Sequence, residues 1–321
     1  MDIIPFAAFL GSLILCVLSI FLIKPKIISL GIIGKDVNKK GNSEIPESCG
    51  MILLIPIWVS ILTLLFMNIV NPLAYIFLFT ITCFAAVGFF DDCFRFFKKE
   101  HDWRKYAVKR GIVLVAVSIP FAFIASASIG LLAILASVLF MIIIASLSNS
   151  FAGLNGWEIG SSFIIICALV VMLTFSATYT GSLILFALVL LGAVSGLLLF
   201  NSYPASAFPG DSGTLLIGSF IGCLILFVDP FYLAIPLFIP HLIDIFLKLK
   251  TNRADMSQKS EKPYTLRDGR LHIPASGRLD FAKLIIKKFG PMKERDIVRR
   301  IWFVVGVNSL FWTTLFVFLK T

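Results

Sequence analysis

Charge is what this 321-residue chain has least of. Asp, Glu, Lys and Arg together make up 14% of it, against 59% apolar residues, and the mean hydropathy is +0.98. An ordinary soluble domain carries about 25% charged residues, so water is not the main solvent of this chain. Histidine is also scarce, with three residues, and the six cysteines (Cys16, Cys49, Cys83, Cys93, Cys167 and Cys223) form no C-x-x-C pair. That spacing provides neither a disulfide framework nor a zinc site. No nucleic-acid recognition module is visible, and the basic residues flank apolar stretches instead of forming a binding face, so nucleic acid is excluded as a partner. The first apolar stretch, Ile3 to Ile23, has no basic residue before it and no small-residue cleavage motif after it, so it reads as a retained helix and not as a leader.

What is present is a series of apolar runs. A hydrocarbon core about 30 Å thick asks for roughly 20 apolar residues per helix, and ten such runs are centred near residues 13, 60, 82, 120, 139, 170, 190, 221, 239 and 310. The expected fold is therefore an all-α integral membrane protein, a bundle of about ten transmembrane helices in a single domain over residues 1–321. The fourth and fifth runs are separated only by Ser126-Ala-Ser-Ile-Gly130, and their combined length predicts a hairpin there. With ten spans, the connections on one side are residues 24–50, 91–110, 149–160, 201–212 and 248–300. They hold 5, 7, 0, 0 and 15 of the Lys and Arg residues, 27 of the 28 in the chain. The bias of basic residues toward the cytoplasm places these connections, including the long basic loop 248–300, inside and both termini outside. Sixteen of the 18 acidic residues gather on the same side, and none falls at mid-membrane. Transporters commonly need ionisable groups near the midplane, so chemistry at one interface is expected.

Five polar segments stand out. The first is the loop Gly34 to Gly50. The second is Asp91-Asp92, a carboxylate pair beside an apolar run, which is costly unless paired or bound to a cation. The third is the glycine-interrupted turn Asn149 to Gly160, whose backbone N–H groups could cradle a diphosphate or simply turn the chain. The fourth is Asn201 to Gly213, where Asp211 opens a helix either as a cap or as an oxygen ligand of Mg²⁺ with Asn149 or Asp92 as its partner. The fifth is Arg267 to Pro274, in which Arg270 and His272 could clamp phosphate or sugar oxygens. Beyond it, Phe281 to Phe289 alternates apolar residues and lysines, a pattern that suits a helix lying in the headgroup layer.

In their order and spacing these segments resemble the polyprenyl-phosphate N-acetylhexosamine-1-phosphate transferase superfamily, above all its eukaryotic and archaeal UDP-GlcNAc:dolichyl-phosphate GlcNAc-1-phosphate transferases. The residues that carry the resemblance are Asp36-Val-Asn-Lys39 with Ile45-Pro-Glu-Ser48, Asp91-Asp92, Asn149 through Glu158, Tyr203-Pro204 with Phe208-Pro-Gly-Asp211, and His272-Ile-Pro274. The resemblance implies a ten-helix bundle with extracytoplasmic termini and a membrane-bound, Mg²⁺-dependent enzyme, Mn²⁺ being the alternative ion. Its substrates would be a UDP-sugar and a polyprenyl or dolichyl phosphate. It assigns Asn149 and Asp211 to the metal, Glu47, Gly153, Asn155 and Phe208 to the uridine, Arg270 and Lys105 to phosphate groups, and His272 to the sugar. Asp91 and Asp92 are expected to support the metal or position basic residues. Proton abstraction is the less favoured role for them, because a phosphate monoester with a second pKa of about 6 is already largely ionised. His272 stands where the dolichol enzymes often carry arginine, and Leu271 where they carry histidine. A different UDP-linked N-acetylated sugar is one alternative, and a transporter or flippase of lipid-linked anions is another. The compact loops point to a prokaryotic, archaeal-like plasma membrane, and a homodimer is left open.

Overall fold

The computed structural model describes residues 3–36, 44–97, 103–176, 181–251, 263–274 and 278–320. Each apolar run becomes a helix, the conformation that satisfies every backbone polar group within its own segment when the surroundings cannot. In chain order these are α1 (Ile3–Ser29), α2 (Leu54–Phe66, entered through a 3₁₀ turn at Cys49–Leu53), α3 (Leu73–Phe97), α4 (Trp103–Ser126), α5 (Leu131–Ser150), α6 (Trp157–Phe175), α7 (Gly181–Asn201), α8 (Gly210–Ile225), α9 (Ile239–Thr251), α10 (Phe281–Phe289) and α11 (Glu294–Lys320). Among the described residues nine helical stretches are long and apolar enough to cross a membrane. The expected all-α, multi-pass architecture is therefore present.

The run near residue 221 differs from the other nine. It forms α8, of only 16 residues, with no 3₁₀ turns to lengthen it as those at Phe231–Leu233 and Ile235–Phe238 lengthen the run of α9, and it rises about 24 Å against the roughly 30 Å of a hydrocarbon core. Every residue from Ser212 to Ile225 is buried, because α8 sits at the centre of the bundle against α3, α5, α6 and α7. A helix with no lipid-facing side does not have to match the thickness of the bilayer. Small residues permit this packing, as they do between membrane helices in general: a Cβ on Gly218 would lie 2.7 Å from the Cα of Ala145 on α5. Around it, Phe77 of α3 packs its ring against Phe121, Phe186 and Phe220, with centroids 5.6, 5.2 and 4.5 Å away, which joins α3, α4, α7 and α8. Large apolar side chains such as Phe6, Phe21, Phe303 and Phe318 are exposed on α1 and α11, a surface suited to lipid.

The expected hairpin between the fourth and fifth runs is present. α4 ends at Ser126, Gly130 turns with φ 118°, and the Ser126 and Ser137 hydroxyls meet at 2.7 Å. The up-and-down order brings the five polar connections together at one end of the bundle. At the other end Lys320 pairs with Asp229 at 3.3 Å. Two short antiparallel hairpins, not anticipated from the sequence, decorate the polar end: β1 (Ile33–Lys35) with β2 (Glu44–Pro46), and β3 (Thr265–Arg267) with β4 (Arg270–His272). The Lys-rich segment folds as α10, started by Asp280, whose side chain accepts the Lys283 amide at 2.8 Å. It buries Phe281, Ala282, Ile285 and Ile286 and exposes Lys287 and Lys288. Residues 37–39 of the first motif and residues 252–262 and 275–277 of the long loop lie outside the described residues.

Candidate active site

The site begins where two connections, far apart in sequence, are joined by their backbones. Phe208 N donates to Pro46 O, Cys49 N to Phe208 O and Gly50 N to Pro209 O, each at 2.9 Å. This continues the edge of β2 into the turn that starts α8. Glu47 and Phe208 meet over Gly34, where a Cβ would lie 2.4 Å from Glu47 Oε2 and 3.1 Å from the Phe208 ring. Gly210 has φ +66°, and a Cβ on it would lie 2.4 Å from Asp92 Oδ2. Both constraints call for glycine.

Asp92 is completely buried and serves as an external cap for α8. Its Oδ1 accepts the Asp211 amide at 2.9 Å, and its Oδ2 accepts the Ser212 amide at 3.2 Å and the Ser48 hydroxyl at 2.7 Å. A carboxylate at a helix N-terminus satisfies orphan donors and meets the positive end of the helix dipole. With Asp92 as the cap, the Asp211 side chain is not used for that purpose and lines a cavity instead. Asp91 turns to other partners: Arg110 Nε is 2.9 Å from its Oδ2, and the Tyr106 hydroxyl donates to its Oδ1.

The cavity, of about 240 Å³, is lined by Glu47, Asn149, Gly153, Asn155, Phe208 and Asp211. These are all six residues that the sequence reading assigned to uridine and metal, and the structure brings them to one place. Asp36, Glu158, Lys35, Asn201 and Thr214 share its walls. Asp36, Glu47 and Asp211 in the lining outnumber its one lysine, a balance that favours a cation and would repel a bare diphosphate.

The turn after α5 is held from several sides. Asn155 Nδ2 donates to Asp36 Oδ2 at 2.9 Å, Asn155 N to Glu294 Oε1 at 2.8 Å, and Gly156 N to Asn201 Oδ1 at 3.2 Å. Trp302 Nε1 donates to Gly156 O at 3.0 Å. The last carbonyl of α5, on Ser150 beside Asn149, accepts from Lys248 Nζ, which also pairs with the buried Asp244 at 2.6 Å. Asp244 in turn accepts the Phe281 amide at 2.8 Å.

The remaining residues of the sequence reading sit elsewhere. Asp91 and Asp92 are not among the residues lining the cavity; they support it from behind. Lys105 belongs to the first turn of α4, and its side chain lies outside the described residues. The cation that the structure brings to Asp91 is Arg110, which the sequence reading passed over. Its signal was available: Tyr106 and Arg110 are four apart on a helix and so share a face. Arg270 and His272 lie on β4, outside the cavity lining. Their hairpin instead borders a second cleft of about 500 Å³ that includes Leu271, Tyr203 and Glu294. Glu158, Ser48, Lys248 and Glu294 were likewise not chosen. Glu294 and Lys248 are held by contacts 139 and 98 residues away, which no local pattern announces.

Comparison with known proteins gives the chain's relatives. The model of glycosyl transferase family 4 matches residues 73–229. A protein of Methanocaldococcus jannaschii, provisionally named a glycosyltransferase, is 33% identical over 304 residues, covering 94% of this chain and 91% of that one. A Saccharolobus solfataricus protein, provisionally named a UDP-N-acetylglucosamine–dolichyl-phosphate N-acetylglucosaminephosphotransferase, is 27% identical over 87% of this chain and 85% of its own. The phospho-N-acetylmuramoyl-pentapeptide-transferase of Borrelia garinii is 31% identical over 61% of this chain and 65% of its own. With a likeness that runs almost end to end, the chain belongs to glycosyl transferase family 4.

Proposed function

We propose that this protein moves GlcNAc 1-phosphate from UDP-GlcNAc to a polyprenyl or dolichyl phosphate, releasing UMP and leaving the sugar on the lipid through a diphosphate. The observation that carries the reading is the cavity at the polar end of the bundle, where Asp211, Asn149, Glu47, Asn155 and Phe208 come together from three separate connections. The names of the relatives support the same chemistry. The concentration of 27 of 28 basic residues in the connections at that end supports a site facing the cytoplasm of a plasma membrane, with both termini outside.

The donor set fits Mg²⁺. Asp211 and Asn149 supply hard oxygen atoms, and the surrounding carboxylate excess favours a divalent cation. No cluster of three or more His, Cys, Asp or Glu that could hold a metal alone occurs among the described residues, which suits an ion that keeps waters and takes substrate phosphates as ligands. Mn²⁺ accepts the same donors. When bound, such an ion would neutralise the diphosphate and stabilise charge on the departing UMP.

The chain's own residues do the rest. Asn155 gives its amide N–H to Asp36, which orients its carbonyl oxygen as an acceptor for the uracil N–H. Glu47, Gly153 and Phe208 complete the uridine wall. Arg110, with Lys105, holds the lipid phosphate at the membrane mouth. That phosphate is already ionised at neutral pH, so no base has to create the nucleophile, and Asp91, engaged with Arg110 and Tyr106, positions a cation. A UDP-sugar exceeds a cavity of about 240 Å³, and Arg270 and His272 meet the part of it that projects toward their hairpin.

The test is UMP release by the purified protein with UDP-GlcNAc, polyprenyl phosphate and Mg²⁺, beside Asp211→Ala and a control without lipid. UMP that requires lipid, metal and Asp211 is the expected result. UMP from a different UDP-sugar would keep the chemistry and change the donor. Silence with every UDP-sugar, in folded protein, would sink the proposal.

A further inference from the structure

Glu294 sits at the start of α11, only 6% exposed, and lies between two parts of the site. Its Oε1 accepts the backbone amide of Asn155 at 2.8 Å. Two residues earlier, Met292 O accepts the amide of Leu271 at 2.9 Å. Leu271 is the central residue of β4, flanked by Arg270 and His272. One short stretch, 292–294, therefore holds the nucleoside side of the cavity by a carboxylate and the Arg270–His272 hairpin by a carbonyl. Eight residues further along α11, Trp302 grips the same turn through Gly156 O at 3.0 Å. The fit there is close: a Cβ on Gly160 would lie 2.2 Å from the indole.

We infer that Glu294 is a positioning residue, which fixes the backbone of Asn155 so that its side chain meets the nucleoside and keeps that turn in register with the hairpin of Arg270 and His272. The inference rests on the proposed role of Asn155 toward uridine. A buried amide whose acceptor is removed either stays unsatisfied or moves to find another. Movement of the Asn155 backbone would disturb the donor nucleotide and leave the lipid phosphate, held at Arg110, undisturbed. Glu294 acts through the Asn155 backbone, so its effect falls on donor affinity.

The experiment compares wild type, Glu294→Gln, Glu294→Asp and Glu294→Ala as full-length protein in detergent. UDP binding is measured by calorimetry, and KM for UDP-GlcNAc and for polyprenyl phosphate is measured by UMP release. Gln keeps an oxygen acceptor at the same reach. Asp keeps the charge but draws the oxygen back by about one carbon–carbon bond, ~1.5 Å. The expected result is UDP affinity within about threefold of wild type for Gln. For Asp and Ala the expected loss is about tenfold, the scale of one hydrogen bond to a charged acceptor. KM for UDP-GlcNAc should rise in parallel and KM for the lipid stay within twofold. If Ala lowers only the melting temperature, Asp supplies the comparison in a protein that keeps the helix-start charge. UDP affinity unchanged in Asp and Ala, Gln as weak as Ala, or equal changes in both KM values would overturn the inference while wild-type UMP release left the transferase reading standing. Failure of the wild type to bind UDP would overturn both.

Discussion

The carboxylate of Asp92 accepts the backbone amide of Asp211 at 2.9 Å, so one acidic residue fixes the start of the helix on which another is presented. Two carboxylates that look alike in the sequence are thereby separated in role: Asp92 faces backbone, and Asp211 faces the cavity. Removing Asp92 would leave the amides of Asp211 and Ser212 and the hydroxyl of Ser48 without this acceptor. Asp92→Ala is expected to lower stability by roughly 2–4 kcal/mol and UMP release by at least about a hundredfold. Asp92→Asn, which keeps one acceptor oxygen, should fall between Ala and wild type in both. Thermal unfolding and initial rates check this, and an Asn variant no better than Ala would contradict the capping role.

Arg110 and Lys105 make separable predictions. Arg110→Ala should raise the KM for polyprenyl phosphate about tenfold or more and leave the KM for the UDP-sugar within twofold, since the cation paired with Asp91 lies outside the cavity proposed for the nucleotide. A larger effect from Lys105→Ala than from Arg110→Ala would move the phosphate contact toward the start of α4. The loss should be smaller in an Asp91→Asn background, because the two side chains act as a pair.

Gly210→Ala combines a strained φ of +66° with a Cβ placed 2.4 Å from Asp92 Oδ2. The expected cost is about 1–3 kcal/mol from backbone strain alone, together with displacement of Asp211. Activity should fall more steeply than stability. Comparing melting temperature with the Mg²⁺ concentration for half-maximal rate separates the two effects.

Chelation of divalent ions should abolish UMP release, and adding back Mg²⁺ should restore it. Asn149→Ala should need a higher Mg²⁺ concentration, by about tenfold, for half-maximal rate, without a change in lipid KM. A rate that survives chelation would remove the metal from the proposed chemistry.

The parts of this molecule that sequence makes readable are those governed by local physics. Runs of about 20 apolar residues announce the helices, the five uncharged residues 126–130 announce a hairpin, and the lysine spacing announces α10. That Glu47, Asn149, Gly153, Asn155, Phe208 and Asp211 would share one place was legible because short motifs stand at helix ends that the up-and-down order must bring together. What was hidden depends on depth and distance. That α8 is too short to reach across a bilayer and is buried throughout is foreshadowed only by its small residues, such as Gly213, Gly218 and Gly222. Lys105 follows from the resemblance, as a basic residue after the Asp pair, whereas the helix repeat is what brings Arg110 to Asp91. The place of Arg270 and His272 depends on how a hairpin packs after a long connection, and its sequence carries no address for that.

The bond from Asn155 to Glu294 spans 139 residues of chain, and this sets an order of events during synthesis. At about 5–20 residues per second, the ribosome needs roughly 7–28 s after Asn155 to deliver Glu294. Through that interval the turn after α5 lacks its partner on α11, even when the helices carrying Asn149 and Asp211 are already in the membrane. A nascent chain therefore completes this wall of the cavity only as α11 arrives, and the cavity closes in one late step.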